Sequence, residues 1–329
     1  MGEKGYSHSI FDLFSGAIAM SGNLPKTILF MQHGMTDTNY TMSSLGRCLA
    51  ASDMLVIAPN LGYVKTLFSL EPLIATVEQA AREALEQYPE VPARIVATSL
   101  GGVIWAEVLN RHPEWWVRVE SLVLLGSPIG GAHLARVVDP LGWGIGIAKE
   151  LGVRRRAIAQ RIAAEIPTLV IASDLGMGHD GTVSVEATKV RGAEFVCLAG
   201  VKHAELRVHP AVIAAIRAFW EDLKAPFPKS EHLELSEVLV ERVQMIPGMT
   251  DAHGHHFLQS RPYLLFQNGA GIQTWLGAWG IPFVFVRDEQ GQCAYGGYVG
   301  WFHWWELYQG LEAIKAEFAQ YVSGESAGS

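Results

Sequence analysis

Ser99, flanked two residues away on either side by Ala97 and Gly101, lies between the apolar run Arg94 to Thr98 and the helix-like segment Gly102 to Leu109. Small residues at those two positions are what a sharp strand-to-helix turn requires, because a larger side chain would strike the neighbouring strand or helix. Such a turn lifts the hydroxyl out of a sheet and aims the first amides of the helix at the point where an attacked carbonyl builds negative charge. A serine hydroxyl is a weak nucleophile near neutral pH, so it needs an imidazole to take its proton and a carboxylate to orient that imidazole. Both types follow in chain order. Asp180 stands in Gly178-His179-Asp180-Gly181-Thr182-Val183, after the strand-like Pro167 to Ser173, and His203 stands in Val201-Lys202-His203-Ala204, after the strand-like Glu194 to Gly200. Each falls just past the carboxyl end of a strand, the edge at which open parallel sheets bind ligands. The rivals are Asp174, which ends a strand directly, and His209, which precedes Pro210 at a helix start and so suits a capping role. Two amides are expected to hold an oxyanion: Leu100, next after the serine, and Met35, from Gln32-His33-Gly34-Met35 after the first strand.

The elements that must carry these residues alternate. Strand-like runs Thr27 to Gln32, Met54 to Ala58, Arg94 to Thr98 and Leu122 to Leu125 are separated by helix-like Tyr40 to Ala51, Leu70 to Gln87 and Gly102 to Leu109. Continuous apolar strands alternating with amphipathic helices predict a mostly parallel α/β sheet covered on both faces. The helix-like Ala211 to Leu223 closes this first unit, assigned to residues 1–224. An apolar, Gly-rich insertion at about 130–165 ends in the basic Arg154-Arg155-Arg156. It is read either as a lid-like cap for an apolar chain or as an ordinary helical excursion with its arginines in solvent.

Two prolines in Ala225-Pro226-Phe227-Pro228-Lys229-Ser230 mark residues 225–230 as a linker, and a smaller α+β unit is expected over 231–329. Within it, Glu234 to Val243, Tyr263 to Phe266 and Phe283 to Arg287 read as strands. Asp288-Glu289-Gln290-Gly291 reads as a hairpin turn into Gln292 to Tyr298. A final helix follows, with Leu307, Leu311, Ile314, Phe318 and Tyr321 on one face. Trp275, Trp279, Trp301, Trp304 and Trp305 make up half of the ten tryptophans. They are read either as packing residues or as a lipid, glycan or aromatic-ligand surface. Asp251, His253, His255 and His256 form the one stretch with metal-like density, and a polar loop is the favoured reading over a metal site.

With nearly half of 329 residues apolar, the chain can bury a large core without staples. A net charge of −8 without a basic block argues against nucleic acid and acidic membrane surfaces as partners. Cys48, Cys197 and Cys293 are scattered and odd in number, which supports neither a disulfide framework nor a thiolate zinc site. The apolar patch Ile10 to Met20 is interrupted by Asp12, and Tyr6 stands where a myristoylation motif needs Ser or Thr, so a cytoplasmic chain is expected. No stretch has the length of a membrane span, and no cofactor or metal is called for.

Residues 24–224 resemble the alpha/beta-hydrolase superfamily, and within it the small bacterial lipases and esterases. The resemblance rests on His33-Gly34-Met35, the Ala-x-Ser-x-Gly turn around Ser99, Gly126-Ser127-Pro128-Ile129-Gly130-Gly131, Asp180-Gly181-x-Val183 and Gly200-Val201-x-His203. Thr98 departs from the pattern, since many relatives carry His there, and the last hundred residues have no counterpart in the minimal members. The resemblance implies a serine hydrolase of carboxylic esters with Ser99, Asp180 and His203 as its triad, acting on a small-molecule or lipid-like ester through an acyl-enzyme. An acyltransferase with the same triad and a non-catalytic ligand-binding protein are the alternatives. Acyl and alcohol preference and oligomeric state are not encoded in any of these motifs.

Overall fold

The computed structural model describes residues 24–35, 37–62, 69–130, 155–176, 178–223, 234–252 and 254–322. The amino-terminal patch, the expected linker and residues 131–154 of the insertion lie outside them. The chain runs β1 (Thr27–Gln32), α1 (Asn39–Leu49), β2 (Met54–Ile57), α2 (Glu71–Gln87), β3 (Ala93–Thr98), α3 (Leu100–Arg111), β4 (Val119–Leu125), α4 (Arg156–Glu165), β5 (Thr168–Asp174), α5 (Val185–Thr188), β6 (Glu194–Ala199) and α6 (Pro210–Asp222). These six strands form one sheet in the order β2-β1-β3-β4-β5-β6, parallel throughout.

The strands read as continuous apolar runs because both faces are covered. Ile28, Phe30, Ile95 and Ala97 point to one side, into a core shared with Val77 of α2, Ile104 and Val108 of α3 and Ile162 of α4. Leu29, Met31, Val96 and Val123 point to the other, against Met42 and Leu45 of α1 and Val212, Ile216 and Phe219 of α6. Alternate residues of one strand thus feed two cores, as the period of two demands. Helix α6 is pinned further where the Trp220 indole donates to Ser121 Oγ on β4 at 3.0 Å.

A second sheet follows α7 (Leu235–Gln244). It contains β7 (Thr250–Asp251), β8 (Arg261–Leu265), β9 (Gly271–Leu276), β10 (Pro282–Arg287) and β11 (Cys293–Tyr298), and α8 (Trp304–Glu317) comes after it. The order is β7-β11-β10-β9-β8, antiparallel throughout. Leu239 and Val243 of α7 and Leu307, Leu311 and Ile314 of α8 fill one face of it together with Ile272, Val284 and Val286.

Two readings need correction here. Glu234 to Val243, expected as a strand, is helix α7: its alternation is imperfect, and burial falls instead on Leu239 and Val243, four residues apart on one helical face. Strand β9, absent from the expected set, is half polar and bounded by Gly271 and Gly277, so its apolar signal is weak although it sits next to the centre of the sheet. Two of the three arginines of the insertion, Arg155 and Arg156, are not a solvated face, and Arg154 lies outside the described residues. Arg155 and Arg156 are both buried, Arg155 against Glu107 of α3 at 2.5 Å and Arg156 against Asp251 of β7 at 3.2 Å. The Arg155 amide also donates to Ile129 O at 3.1 Å, which brings the two ends of the insertion together.

Candidate active site

Ser99 occupies the turn between β3 and α3 with φ 52° and ψ −125°, a backbone conformation that side-chain-bearing residues rarely adopt. Its amide donates to Leu125 O at the end of β4, which fixes the turn against the neighbouring strand. The crossing is tight on both sides. A Cβ on Gly101 would stand 2.7 Å from Gln32 O and 2.8 Å from His33 O, and one on Gly34 would stand 2.8 Å from Ser99 Cβ and 3.3 Å from Leu100 N. Gly101, read from the sequence, and Gly34 are therefore required by main chain passing over main chain.

The same crossing sets the loop after β1 beside the serine. Among the described residues, neither the Leu100 amide nor the Met35 amide donates a hydrogen bond. His33 holds this loop. The Leu61 amide donates to His33 Nε2 at 3.0 Å, so the ring proton sits on Nδ1 and is given to Gly34 O at 2.9 Å. Burial holds the His33 imidazole below its usual range, in keeping with that neutral tautomer.

Asp180 and His203 are brought together. His203 Nδ1 lies 2.6 Å from Asp180 Oδ2, while Asp180 Oδ1 accepts from the amides of Thr182 at 2.9 Å and Val183 at 2.7 Å. The carboxylate is buried at 2% exposure. The imidazole stands over Gly126, the residue after β4, where an added Cβ would come within 3.1 Å of both Cε1 and Nδ1 of the ring. Leu125, whose carbonyl holds the Ser99 amide, is the residue before it. His203 is thus poised at the strand end adjoining the serine turn, yet no hydrogen bond joins it to the Ser99 hydroxyl among the described residues.

Comparison with solved structures bears on the fold. The chain is similar to the ferulic-acid-bound Est1E of Butyrivibrio proteoclasticus at TM-score 0.50 and 14% identity, over 63% of this chain and 94% of that one. It is also similar to the mature lipase BlEst2 of Bacillus licheniformis (TM-score 0.46, 15% identity, 63% and 97% covered). A third likeness is to the esterase domain of a Rhodothermus marinus protein (TM-score 0.44, 20% identity, 63% and 91% covered). The fold is that of the alpha/beta hydrolases. No protein-family model matches the chain, and no curated protein matches it in sequence.

On this alpha/beta-hydrolase frame the rival residues have other partners. Asp174 Oδ1 accepts from the amides of Gly176 at 2.8 Å and Gly178 at 2.6 Å, building the turn after β5. His209 caps α6, its Nδ1 accepting from Ala211 N at 3.2 Å. The described residues of the Asp251 to His256 stretch have other partners. Asp251 is held by Arg156 and by the Tyr295 hydroxyl at 2.8 Å, His256 stacks on Trp275 with ring centroids 3.8 Å apart, and His253 lies outside the described residues. Among the described residues no group of three or more candidate ligands could hold a metal ion.

One contributor has no sequence signal. Arg207, on the short helical turn that begins at His203, pairs with Asp37 in the loop that carries Met35. The pair ties the histidine loop to the loop beside the serine. Its members are 170 residues apart, and nothing in the local pattern around either one points to the other.

Proposed function

We propose that the chain is a serine hydrolase of carboxylic esters, with residues 1–224 as its catalytic unit and 231–329 as an added α+β unit. The observation that carries this reading is the buried Asp180–His203 pair standing over Gly126, at the strand end that anchors the left-handed turn of Ser99. In the proposed reaction His203 Nε2 takes the Ser99 proton as Oγ attacks the ester carbonyl carbon, with Asp180 holding the Nδ1 proton. The oxyanion is held by the Leu100 and Met35 amides. As the C–O bond breaks, His203 returns its proton to the leaving alcohol. Water then attacks the acyl-enzyme through the same base and frees the carboxylic acid.

The bond between Ser99 Oγ and His203 Nε2 is expected to form with substrate bound, since catalytic hydrogen bonds commonly tighten only in the complex. A non-catalytic scaffold is favoured by a single observation, the unengaged Ser99 hydroxyl. Labelling by a fluorophosphonate separates the two readings: the hydrolase labels at Ser99 and loses both label and ester turnover in Ser99→Ala. A wild-type protein that neither labels nor turns over a graded series of acyl esters is a scaffold. An acyltransferase would show itself by ester products when acceptor alcohols are added.

A further inference from the structure

Several aromatic residues in the turn between β9 and β10 and around the start of α8, which the proposed reaction leaves unused, are exposed. Trp279, Trp301, Phe302 and Trp305 are 86%, 61%, 94% and 65% open to solvent, far beyond what packing residues show. They form one ridge, because the Trp301 indole donates to Trp279 O at 2.9 Å and the Trp304 indole to Gly280 O at 3.3 Å. Those two bonds fasten the turn between β9 and β10 to the start of α8. Trp305 continues the ridge along α8, stacked on Tyr308.

The backbone beneath the ridge is strained. Trp279 has φ 62° and ψ 16°, and it and Ser99 are the only non-glycine residues with positive φ among those described. Its indole buries almost nothing in return, so the strain serves what the turn presents and not how it packs. At Gly280 and Gly300, which border the ridge, an added Cβ would meet nothing within 4 Å. On this side the ridge is convex and open, while on its other side Trp304 and Tyr308 line a cavity of about 610 Å³ with Arg261 and Phe283. The second sheet meets the first through Arg156 with Asp251 and through Arg191 with Glu241, so the ridge is not the seam between them.

We propose that this ridge docks the protein on an uncharged or zwitterionic lipid surface. Indole and phenyl rings favour the headgroup zone of a bilayer, and a fluid surface accepts a convex ridge that a rigid partner would have to match with a groove. Two of the indole N–H groups are already satisfied by carbonyls of the same ridge, so entering the apolar layer orphans neither donor. Charge selects the lipid. Between Gly277 and Ile281 and between Gly300 and Tyr308 there is no Lys or Arg, Arg261 is a single cation beside Trp304 and Tyr308, and the whole chain carries −8, so little electrostatic attraction to an anionic surface is expected.

The test is flotation of the full-length protein with vesicles of pure phosphatidylcholine and of phosphatidylcholine mixed with phosphatidylserine, at low and high salt. The proposal expects co-flotation on pure phosphatidylcholine that salt does not weaken. It expects a loss of about tenfold or more in Trp279→Gly/Phe302→Ser, each ring contributing its own apolar burial. Trp279→Gly alone should leave the melting temperature unchanged or raised, because glycine takes that φ without strain. Ser99→Ala should float like the wild type, so this outcome is read apart from the hydrolase reading. Failure of the wild type to float overturns the proposal. So does binding confined to anionic vesicles and released by salt, equal flotation of the double variant, or a ridge-dependent dimer that does not bind vesicles.

Discussion

Asp180 and His203 are joined twice, by the 2.6 Å contact of Oδ2 with Nδ1 and by donation from the His203 amide to Asp180 O at 2.9 Å. The second bond fixes where the histidine loop starts, and the first fixes how its ring is turned. Asp180→Asn separates chemistry from folding at this point. Asparagine keeps an oxygen for the Thr182 and Val183 amides but turns an N–H toward Nδ1, which forces the ring proton onto Nε2 and removes the base. We expect ester turnover to fall by about 10⁴-fold with a melting temperature close to wild type, measured by steady-state kinetics and calorimetry.

Ser99→Gly should raise stability while ending turnover. Glycine adopts φ 52° without penalty, and relief of that strain is worth about 1 kcal/mol, less what glycine loses by being freer when unfolded. Urea unfolding of the wild type and the variant gives the difference directly.

Gly101→Ala should act in the opposite direction. Its Cβ would meet Gln32 O at 2.7 Å and His33 O at 2.8 Å, and both are main-chain atoms that cannot rotate away. The expected cost is about 1–3 kcal/mol, with turnover reduced because the β1 loop and its Met35 amide are displaced. A variant of wild-type stability and activity would show that the two segments do not cross as closely as described.

Acid should loosen the β1 loop through His33. Its folded-state pKa lies below the unfolded value of about 6.5, because burial penalises the charged ring. The unfolded chain therefore binds the proton first, and stability is full above about pH 6.5 and declines as the pH falls from there toward the folded value. His33→Gln should flatten that decline in urea unfolding measured across this range. An unchanged slope in the variant would assign the acid sensitivity to other groups.

Arg156→Met should be costly, because it leaves the buried Asp251 carboxylate with the Tyr295 hydroxyl but without a charge partner. Removing one member of a buried pair typically costs about 3–5 kcal/mol, whereas replacing both members is close to neutral. Arg156→Met/Asp251→Asn should therefore unfold at higher urea than Arg156→Met alone. The reverse order would mean that the pair does not hold the two sheets together.

Much of the first unit was legible in the sequence because local rules generate it. β1 and β3 show as continuous apolar runs, since each is buried on both faces. Gly101 marks the turn because no larger residue passes the adjacent main chain. The second unit was less legible. The ten residues of α7 interleave polar and apolar side chains in a way that fits either period, and only Leu239 and Val243 docking on Val284 and Val286 decides for the helix.

The sequence by itself determined the order of strands and helices in the first unit, the position of the serine turn, and the chain order of the proposed serine, carboxylate and imidazole. These follow from side-chain volume and periodicity within a few residues. Only the tertiary structure decided that His203 meets Asp180 while Asp174 closes a turn, that Arg207 reaches Asp37, and that Trp279, Trp301, Phe302 and Trp305 stand in solvent. Those outcomes depend on which strand lies beside which and how each loop leaves its edge, and contacts across such distances leave no mark on the neighbouring residues.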